Sequence, residues 1–152
     1  MASSSSVNKS QLAVANLKKV LQYMSQGTNF NAPILKHCRL IKGEPNYVVL
    51  GYKVPQEHTN PYGTLHGGMS ATLVDIVSSM AIVDHEEESL GKLGVSVDLN
   101  INYLNAAKVG EELLIEGRAS KIGKTLAFLE CEIKTKDTNK IVVKGTHTKF
   151  IG

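Results

Sequence analysis

The sequence predicts an α+β domain: an antiparallel sheet of about five or six strands wrapped around one long central helix, with a second helix at the N-terminus. Three observations predict it. The stretch over about 67–84 places Met69, Ala71, Leu73, Val74, Ile76, Val77, Met80, Ala81, Ile82 and Val83 around almost a whole helical circumference, and a helix apolar on all sides is buried on all sides. Segments with β pattern flank it, two before and four after. Turn residues join neighbouring segments closely enough that consecutive strands pair antiparallel.

Taken in order, residues 1–9, "MASSSSVNK", read as a disordered tail, which leaves 10–152 as a single domain. Ser10 is a helix N-cap candidate. Ala13, Leu17, Val20, Leu21 and Met24 then form an apolar stripe over 11–25, with Lys18, Lys19 and Gln22 off it and Gly27 as a stop. That stripe docks the helix on the domain. Strands follow over roughly 34–42 and 47–55, joined by "GEPN". After the central helix come strands over roughly 93–104, 111–121, 125–136 and 140–149, the last three joined by "KIGK" and "DTNK". The first of these alternates: Val95, Val97, Leu99, Ile101 and Tyr103 on one face, Ser96, Asp98, Asn100 and Asn102 on the other. A sheet curled round one helix in this way is the hotdog arrangement.

Composition narrows the function. The formal net charge of +3 is too small to argue for nucleic acid. The charge is uneven, since six basic residues and no acidic one precede Glu44. No apolar run approaches the ~20 residues of a membrane span, so stable membrane insertion is not expected. Cys38 and Cys131 make no disulfide framework and lack metal spacing, which points to a reducing compartment. The Ser-rich, basic, acid-free N-terminus also has the character of a mitochondrial transit segment. Cytosol and mitochondrion are therefore both expected locations.

The central helix carries one carboxylate, Asp75, and opens on a glycine pair, Gly67 and Gly68. A buried ionised Asp costs several kcal/mol unless it is paired or wet. It is kept for structure, bonded to Ser78 or to a basic residue across an interface, or for chemistry. The first N–H groups of a helix lack intrahelical acceptors, and the dipole is positive there. Glycine admits a close oxygen, although two glycines also simply ease a turn. Eight residues at ~1.5 Å rise separate Gly67 from Asp75 by about 12 Å, so both cannot reach one carbonyl in one chain. A two-fold dimer with antiparallel central helices brings Asp75 of one protomer to the helix N-terminus of the other, which makes two identical composite sites.

The segments "EHTNPYGTLHGGMSATLVD", "GVSVDLNINYLNAAKVGE", "GKTLAF" and the closing "HTK" resemble the hotdog-fold acyl-CoA thioesterases of the PaaI-like group, over the chain from about residue 10 to its end. The resemblance implies hydrolysis of acyl-CoA thioesters of medium to long chain to free fatty acid and CoA, in fatty acid metabolism, without metal or redox cofactor. It implies homodimers with shared sites, paired into homotetramers. Asp75 takes the place of the catalytic carboxylate, as general base for water or as nucleophile. Gly67 supplies the N–H that polarises the carbonyl, Asn60 and His66 line the thioester site, and Ser96 orients the water. Asp75 and Ser96 come from the partner protomer. CoA contacts fall on Ser96 and Asp98, and on Tyr103, Leu104, Asn105, Ala106, Ala107 and Lys108. Further contacts are Lys121, Ile122, Gly123, Lys124, Thr125 and Leu126, with Phe150 where one relative has histidine. Lys108, Lys121 and Lys124 suit the CoA phosphates or are solvated loop lysines. The loop "DHEEESLGK" is a few residues longer than in the family.

Two rivals stay open. A dehydratase of hydroxyacyl thioesters on the same fold needs a His-plus-acid pair, which His66 and Asp75 could supply. A non-catalytic acyl-CoA binding module needs neither. The five histidines show no H-x-x-x-H spacing, "GKT" at 123–125 lacks the upstream glycine of a phosphate loop, and no serine lies in a G-x-S-x-G elbow.

Overall fold

The computed structural model of the chain describes residues 4–83 and 93–152. Helix α1 (Ser4–Ser25) and the short α2 (Ala32–Leu35) precede strands β1 (Cys38–Glu44) and β2 (Tyr47–Lys53). A 3-10 turn (Gln56–His58) and helix α3 (Gly67–Met80) follow, then β3 (Val95–Tyr103), β4 (Glu112–Ile122), β5 (Leu126–Thr135) and β6 (Ile141–Phe150). The six strands form one antiparallel sheet in the order β1-β2-β4-β5-β6-β3. Bulges in β1, β3, β4 and β6 or its partner β5 bend it, and α3 lies in the resulting concavity. Among the described residues no helix is long and apolar enough to cross a membrane.

Three expected boundaries are corrected. α1 begins at Ser4, so residues 4–9 are helical rather than a tail, and Ser10 lies inside the helix rather than capping it. No Gly or Pro interrupts the run from Ser4, and a helix seeded by the docked stripe extends at little cost. That stripe is as expected: Ala13, Leu17 and Val20 are buried, with Leu21 and Met24 packed against the core. Residues 34 and 35 are not strand. Asn29 Oδ1 accepts from the amides of Asn31 and Ala32, and Pro33 lies in the first turn, so Ala32–Leu35 is a helical turn and β1 starts at Cys38. α3 ends at Met80. Ala81 and Ile82 form a turn, so the helix is shorter than the expected 67–84; the long "DHEEESLGK" loop lies outside the described residues.

The three hairpins form where the turn residues put them. Asn46 and Asn139 take positive φ (62° and 56°), which asparagine tolerates, and Gly123 N–H donates to Leu126 O across the β4–β5 turn. The seat of α3 is built from small residues. Gly117, Cys131 and Gly145 lie side by side on β4, β5 and β6. A Cβ on Gly117 would meet Val77 O at 2.5 Å, and one on Gly145 would meet Val74 Cγ1 at 2.6 Å. Glycine lets helix backbone touch strand backbone at Gly117 and lets the Val74 side chain seat against the strand at Gly145. Around this seat Leu50, Tyr52, Leu73, Val77, Met80, Leu113, Ile115 and Ile133 close the core.

The expectation of all-round burial fails on one face. Leu73, Val74, Ile76, Val77, Ser78, Ser79 and Met80 are buried. Gly68 is exposed, and Ala71, Thr72 and Asp75, in line with it at helical spacing, are only partly covered. One chain covers three sides of α3 and leaves this stripe open.

Gly117→Ala tests the seat. The added methyl cannot be absorbed by a flexible neighbour, since it meets main chain. The urea midpoint is expected to fall by the equivalent of about 1–3 kcal/mol, the usual overpacking cost. An unchanged midpoint would show that α3 is not held at that distance.

Candidate active site

α3 begins at His66, whose extended backbone (φ −61°, ψ 134°) makes it the N-cap, and whose Nδ1 accepts the Gly68 N–H at 2.9 Å. An accepting Nδ1 puts the ring proton of neutral His66 on Nε2. Gly67 N–H is first in the helix and has no acceptor within it. Tyr103 packs over this turn: its hydroxyl donates to Gly67 O at 3.0 Å, and a Cβ on Gly67 would lie 3.3 Å from its ring. The loop before the helix is tied down by Asn60, whose Oδ1 accepts from the amides of Tyr62 and Thr64 at 3.0 and 3.2 Å. His66 N–H donates to His58 O, and Leu65 N–H to Ala107 O. Asn60, His66, Gly67 and the segment Tyr103–Lys108 therefore form one cluster at the α3 N-terminus. Asn60 serves the loop with the same amide that was expected to line the thioester site.

Two turns along α3, Asp75 is half-exposed, with 45 % of its side chain accessible. It is therefore wet as well as paired. Ser96 Oγ donates to Asp75 Oδ1 at 3.4 Å, and His147 Nε2 lies 3.6 Å from the same oxygen. Ser78 does not bond the carboxylate, as one expectation had it. It donates to the Asp75 main-chain carbonyl at 3.3 Å, and Ser79 does so at 2.6 Å. Asp75, Ser96, Ser79 and Lys149 line a cleft of about 340 Å³ with Ile76, Leu93 and Met24. Burial pushes the pKa of His147 below the ordinary histidine value; Asp75 pulls it back up and Lys149 adds to the lowering. Burial likewise lowers Lys149, against the attraction of Asp75.

Ser96 reaches Asp75 through a bulge. Ser96 pairs with Lys149 and Asp98 with Thr148, leaving Val97 unmatched. The bulge reverses the alternation, so Ser96 shares the helix-facing side with Leu99, Ile101 and Tyr103 instead of opposing them. Asp98 faces away with Thr148. Phe150 pairs with both Val95 and Leu126, and Ile151 N–H donates to Thr125 O. The hairpin Lys121, Ile122, Gly123, Lys124, Thr125 and Leu126 thus belongs to the Asp75 end.

One chain therefore splits the expected residues into two groups. Asp75, Ser96, Phe150 and 121–126 gather at one end of β3; Asn60, His66, Gly67 and 103–108 gather at the other. Seven residue steps from Ser96 to Tyr103 span about 23 Å. His66 and Asp75, the pair a dehydratase would need, are likewise apart within the chain. Sequence reasoning missed His147 and Lys149. Their signal is a His and a Lys at alternate positions of β6, in phase with Val143 and Gly145 on the face that meets the helix.

Comparison with known proteins bears on the fold and the family. The sequence pattern of the thioesterase superfamily matches residues 62–142. Human acyl-coenzyme A thioesterase 13 is 43% identical over 137 residues, 90% of this chain and 95% of the relative. The crystal structure of zebrafish thioesterase superfamily member 2 superposes with a TM-score of 0.82 at 43% identity, covering 90% of this chain and 96% of that one. A Streptococcus pneumoniae hypothetical thioesterase, crystallised with coenzyme A, superposes with a TM-score of 0.69 at 32% identity, covering 77% and 87%.

The lowered pKa of His147 gives a pH dependence with a definite sign. The folded ring resists a proton that the unfolded chain accepts near pH 6.5. Its contribution to stability is complete above that pH and is lost as pH falls through the folded pKa. His58, lowered by burial and by His37, acts in the same direction. Unfolding free energy is expected to drop from pH 8 to pH 5, less steeply in His147→Gln. Equal slopes in the two proteins would show that His147 takes up its proton at no cost.

Proposed function

The chain belongs to the thioesterase superfamily, and from that premise we propose that it is an enzyme that hydrolyses acyl-CoA thioesters to a free acid and CoA. The observation that carries this reading is Asp75: a carboxylate, hydrogen-bonded by Ser96, presented half-exposed to a cleft on the one open side of a helix packed into the core on the others. Asp75 takes a proton from a water held against it and Ser96, and the water oxygen attacks the thioester carbonyl carbon. The charge that develops on the carbonyl oxygen is received by the Gly67 N–H at a helix N-terminus. Collapse of the tetrahedral species breaks the C–S bond, and CoA leaves as thiolate, which the proton from Asp75 or solvent neutralises. A thiolate leaves readily, so one base suffices. Water, a carboxylate and N–H donors are all the reaction uses; no metal or redox cofactor enters it.

Gly67 and Asp75 act on one carbonyl only across two copies of the chain. The ~12 Å rise between them and the division of the site residues between the ends of β3 support a homodimer with two shared sites. β3 is the edge of the sheet and exposes Val95 (64 %), Val97 (62 %) and Tyr103 (56 %), an apolar edge that a second copy would cover. The CoA moiety would meet the 103–108 and 121–126 segments, with Lys108, Lys121 and Lys124 toward its phosphates. We extend the reading to a dimer of dimers, to fatty acyl chains of medium to long length, and to the cytosol or mitochondrion, where the free thiols of Cys38 and Cys131 persist.

A panel of acyl-CoA chain lengths with a thiol dye tests the activity. The wild-type chain is expected to release CoA. Asp75→Asn, nearly isosteric, is expected to lower kcat by about 10²–10⁴-fold while CoA binding and folding persist. Retention of more than about a tenth of wild-type kcat would remove Asp75 from the role of base.

Mixing two inactive variants tests the shared site. Asp75→Asn removes the base. Gly67→Pro removes the polarising N–H, and the extended backbone of His66 already suits a following proline. In a mixed dimer one site carries both lesions and the other neither. With random reassortment, verified by mass spectrometry, about a quarter of wild-type activity is expected to return. Activity that stays at the parental level in confirmed mixed dimers would place both groups in one chain's site.

A further inference from the structure

The last strand carries two polar side chains into the core behind Asp75: His147, 1 % exposed, and Lys149, 5 % exposed. Burial of such groups is tolerated only with hydrogen-bond partners, and each meets a serine on α3. Lys149 Nζ donates to Ser79 Oγ at 2.6 Å. His147 Nδ1 is 2.8 Å from Ser78 Oγ, and its Nε2 is 2.8 Å from Ser96 Oγ. His147 is therefore held at both nitrogens by serine hydroxyls, and one of them, Ser96, also touches the Asp75 carboxylate.

Counting protons fixes the direction of these bonds. A serine hydroxyl has one hydrogen, and an ionised carboxylate only accepts. A bare Nε2 would draw the Ser96 hydrogen to itself and leave Asp75 Oδ1 facing an oxygen lone pair. A protonated Nε2 instead donates to Ser96, and Ser96 donates to Asp75. Nδ1 then accepts from Ser78. Ser78 can turn away from the Asp75 carbonyl, 3.3 Å off, because Ser79 already supplies that carbonyl at 2.6 Å. Every hydrogen then has one acceptor, in a chain running Ser78, His147, Ser96, Asp75.

We propose that neutral His147, in its Nε2–H tautomer, is a positioning residue that directs the Ser96 hydroxyl proton onto Asp75. This rests on Asp75 being the base of the reaction above. It leaves one Ser96 lone pair and the second Asp75 oxygen turned to the cleft, the two acceptors that hold the two hydrogens of the attacking water. The charged groups around the ring are Asp75 on α3, Asp98 on β3 and Lys149 two residues further along β6. Burial keeps the ring neutral among them, so the tautomer is set by the two serines rather than by an added proton.

Two measurements test this. Long-range proton–nitrogen NMR of ¹⁵N-labelled wild-type protein at pH 7.5 is expected to show His147, assigned by its loss in His147→Gln, with a bare Nδ1 and a protonated Nε2. The opposite tautomer, or an imidazolium, would overturn the proposal whether or not the protein hydrolyses acyl-CoA. The second measurement is a double-mutant cycle on kcat. His147→Leu is expected to cost about as much as Ser96→Ala, roughly tenfold or more for a hydrogen bond to a charged group, with KM little changed. In the Ser96→Ala background it should cost nothing further. His147→Gln, whose amide can donate from the Nε2 position, should recover most of the loss and serves where His147→Leu fails to fold. Losses that multiply, or no rescue by glutamine, would overturn the relay. Release of no thiol by the wild type would instead overturn the hydrolase reading.

Discussion

The contact on which the rest of the molecule depends is the meeting of α3 with the sheet at Gly117, where helix backbone touches strand backbone, and at Gly145, where the Val74 side chain fills the space a Cβ would take. Once the helix is held that close, its rotation is fixed to within a fraction of a turn. Val74 and Val77 point down into the seat, Ser78 and Ser79 face β6, and Asp75 is carried round to the open side. A larger residue in the seat would lift the helix by an ångström or more. The serines would then lose His147 and Lys149, whose burial is acceptable only while they are bonded. Packing and polar satisfaction are thus one constraint here, because the same close approach that gains dispersion contact also closes the hydrogen bonds.

A second consequence concerns where the chemistry can take place. A helix presents a base and an N-terminal oxyanion site at fixed separation, and its length sets that separation. The chain answers by leaving the Gly68–Ala71–Thr72–Asp75 stripe uncovered and by ending its sheet on an apolar edge strand. Each feature alone would be a defect: an open helix face loses burial, and an exposed apolar edge invites pairing. Together they are what the proposed shared site asks of each copy. In that proposal the pairing of loop Asn60–Leu65 with segment Tyr103–Lys108 frames one half, and the β4–β5 turn beside Phe150 frames the other.

Much of this was legible in the sequence, for identifiable reasons. The three hairpins were readable because Gly and Asn at their turns have few other uses. α1 was readable from its stripe, and Asp75 stood out because a lone carboxylate in an apolar helix has to be accounted for. What escaped depends on register and tertiary contact. The Val97 bulge looks in the sequence like unbroken alternation, and only pairing with β6 shows that Ser96 and Leu99 share a face. The open stripe on α3 consists of Gly68, Ala71, Thr72 and Asp75, and all-round apolarity was inferred from Ala71 and the stripe's neighbours. His147 and Lys149 read as ordinary polar residues of a closing strand, because the phase of β6 relative to the helix is decided by Gly145, two residues away. The early start of α1 and the turn at Ala32–Leu35 are local choices among near-equal propensities, which packing decides.

The half-exposure of Asp75 follows from these demands rather than standing apart from them. A fully buried carboxylate would need a cation or several donors to stay ionised, and such partners would occupy the oxygens that the proposed reaction offers to water. A fully exposed one would stay charged easily but would have no fixed direction. In the observed arrangement the main chain of Asp75 is held by the Ser79 hydroxyl at 2.6 Å and its Oδ1 by that of Ser96, while the rest of the carboxylate faces the cleft. The buried polar residues of β6 therefore hold the turn from behind and leave its front free. This explains why costly groups such as His147 and Lys149 lie in a core that could otherwise have been built from valine. Their burial is offset by serines, of which Ser79 bonds the main chain of Asp75 and Ser96 its carboxylate.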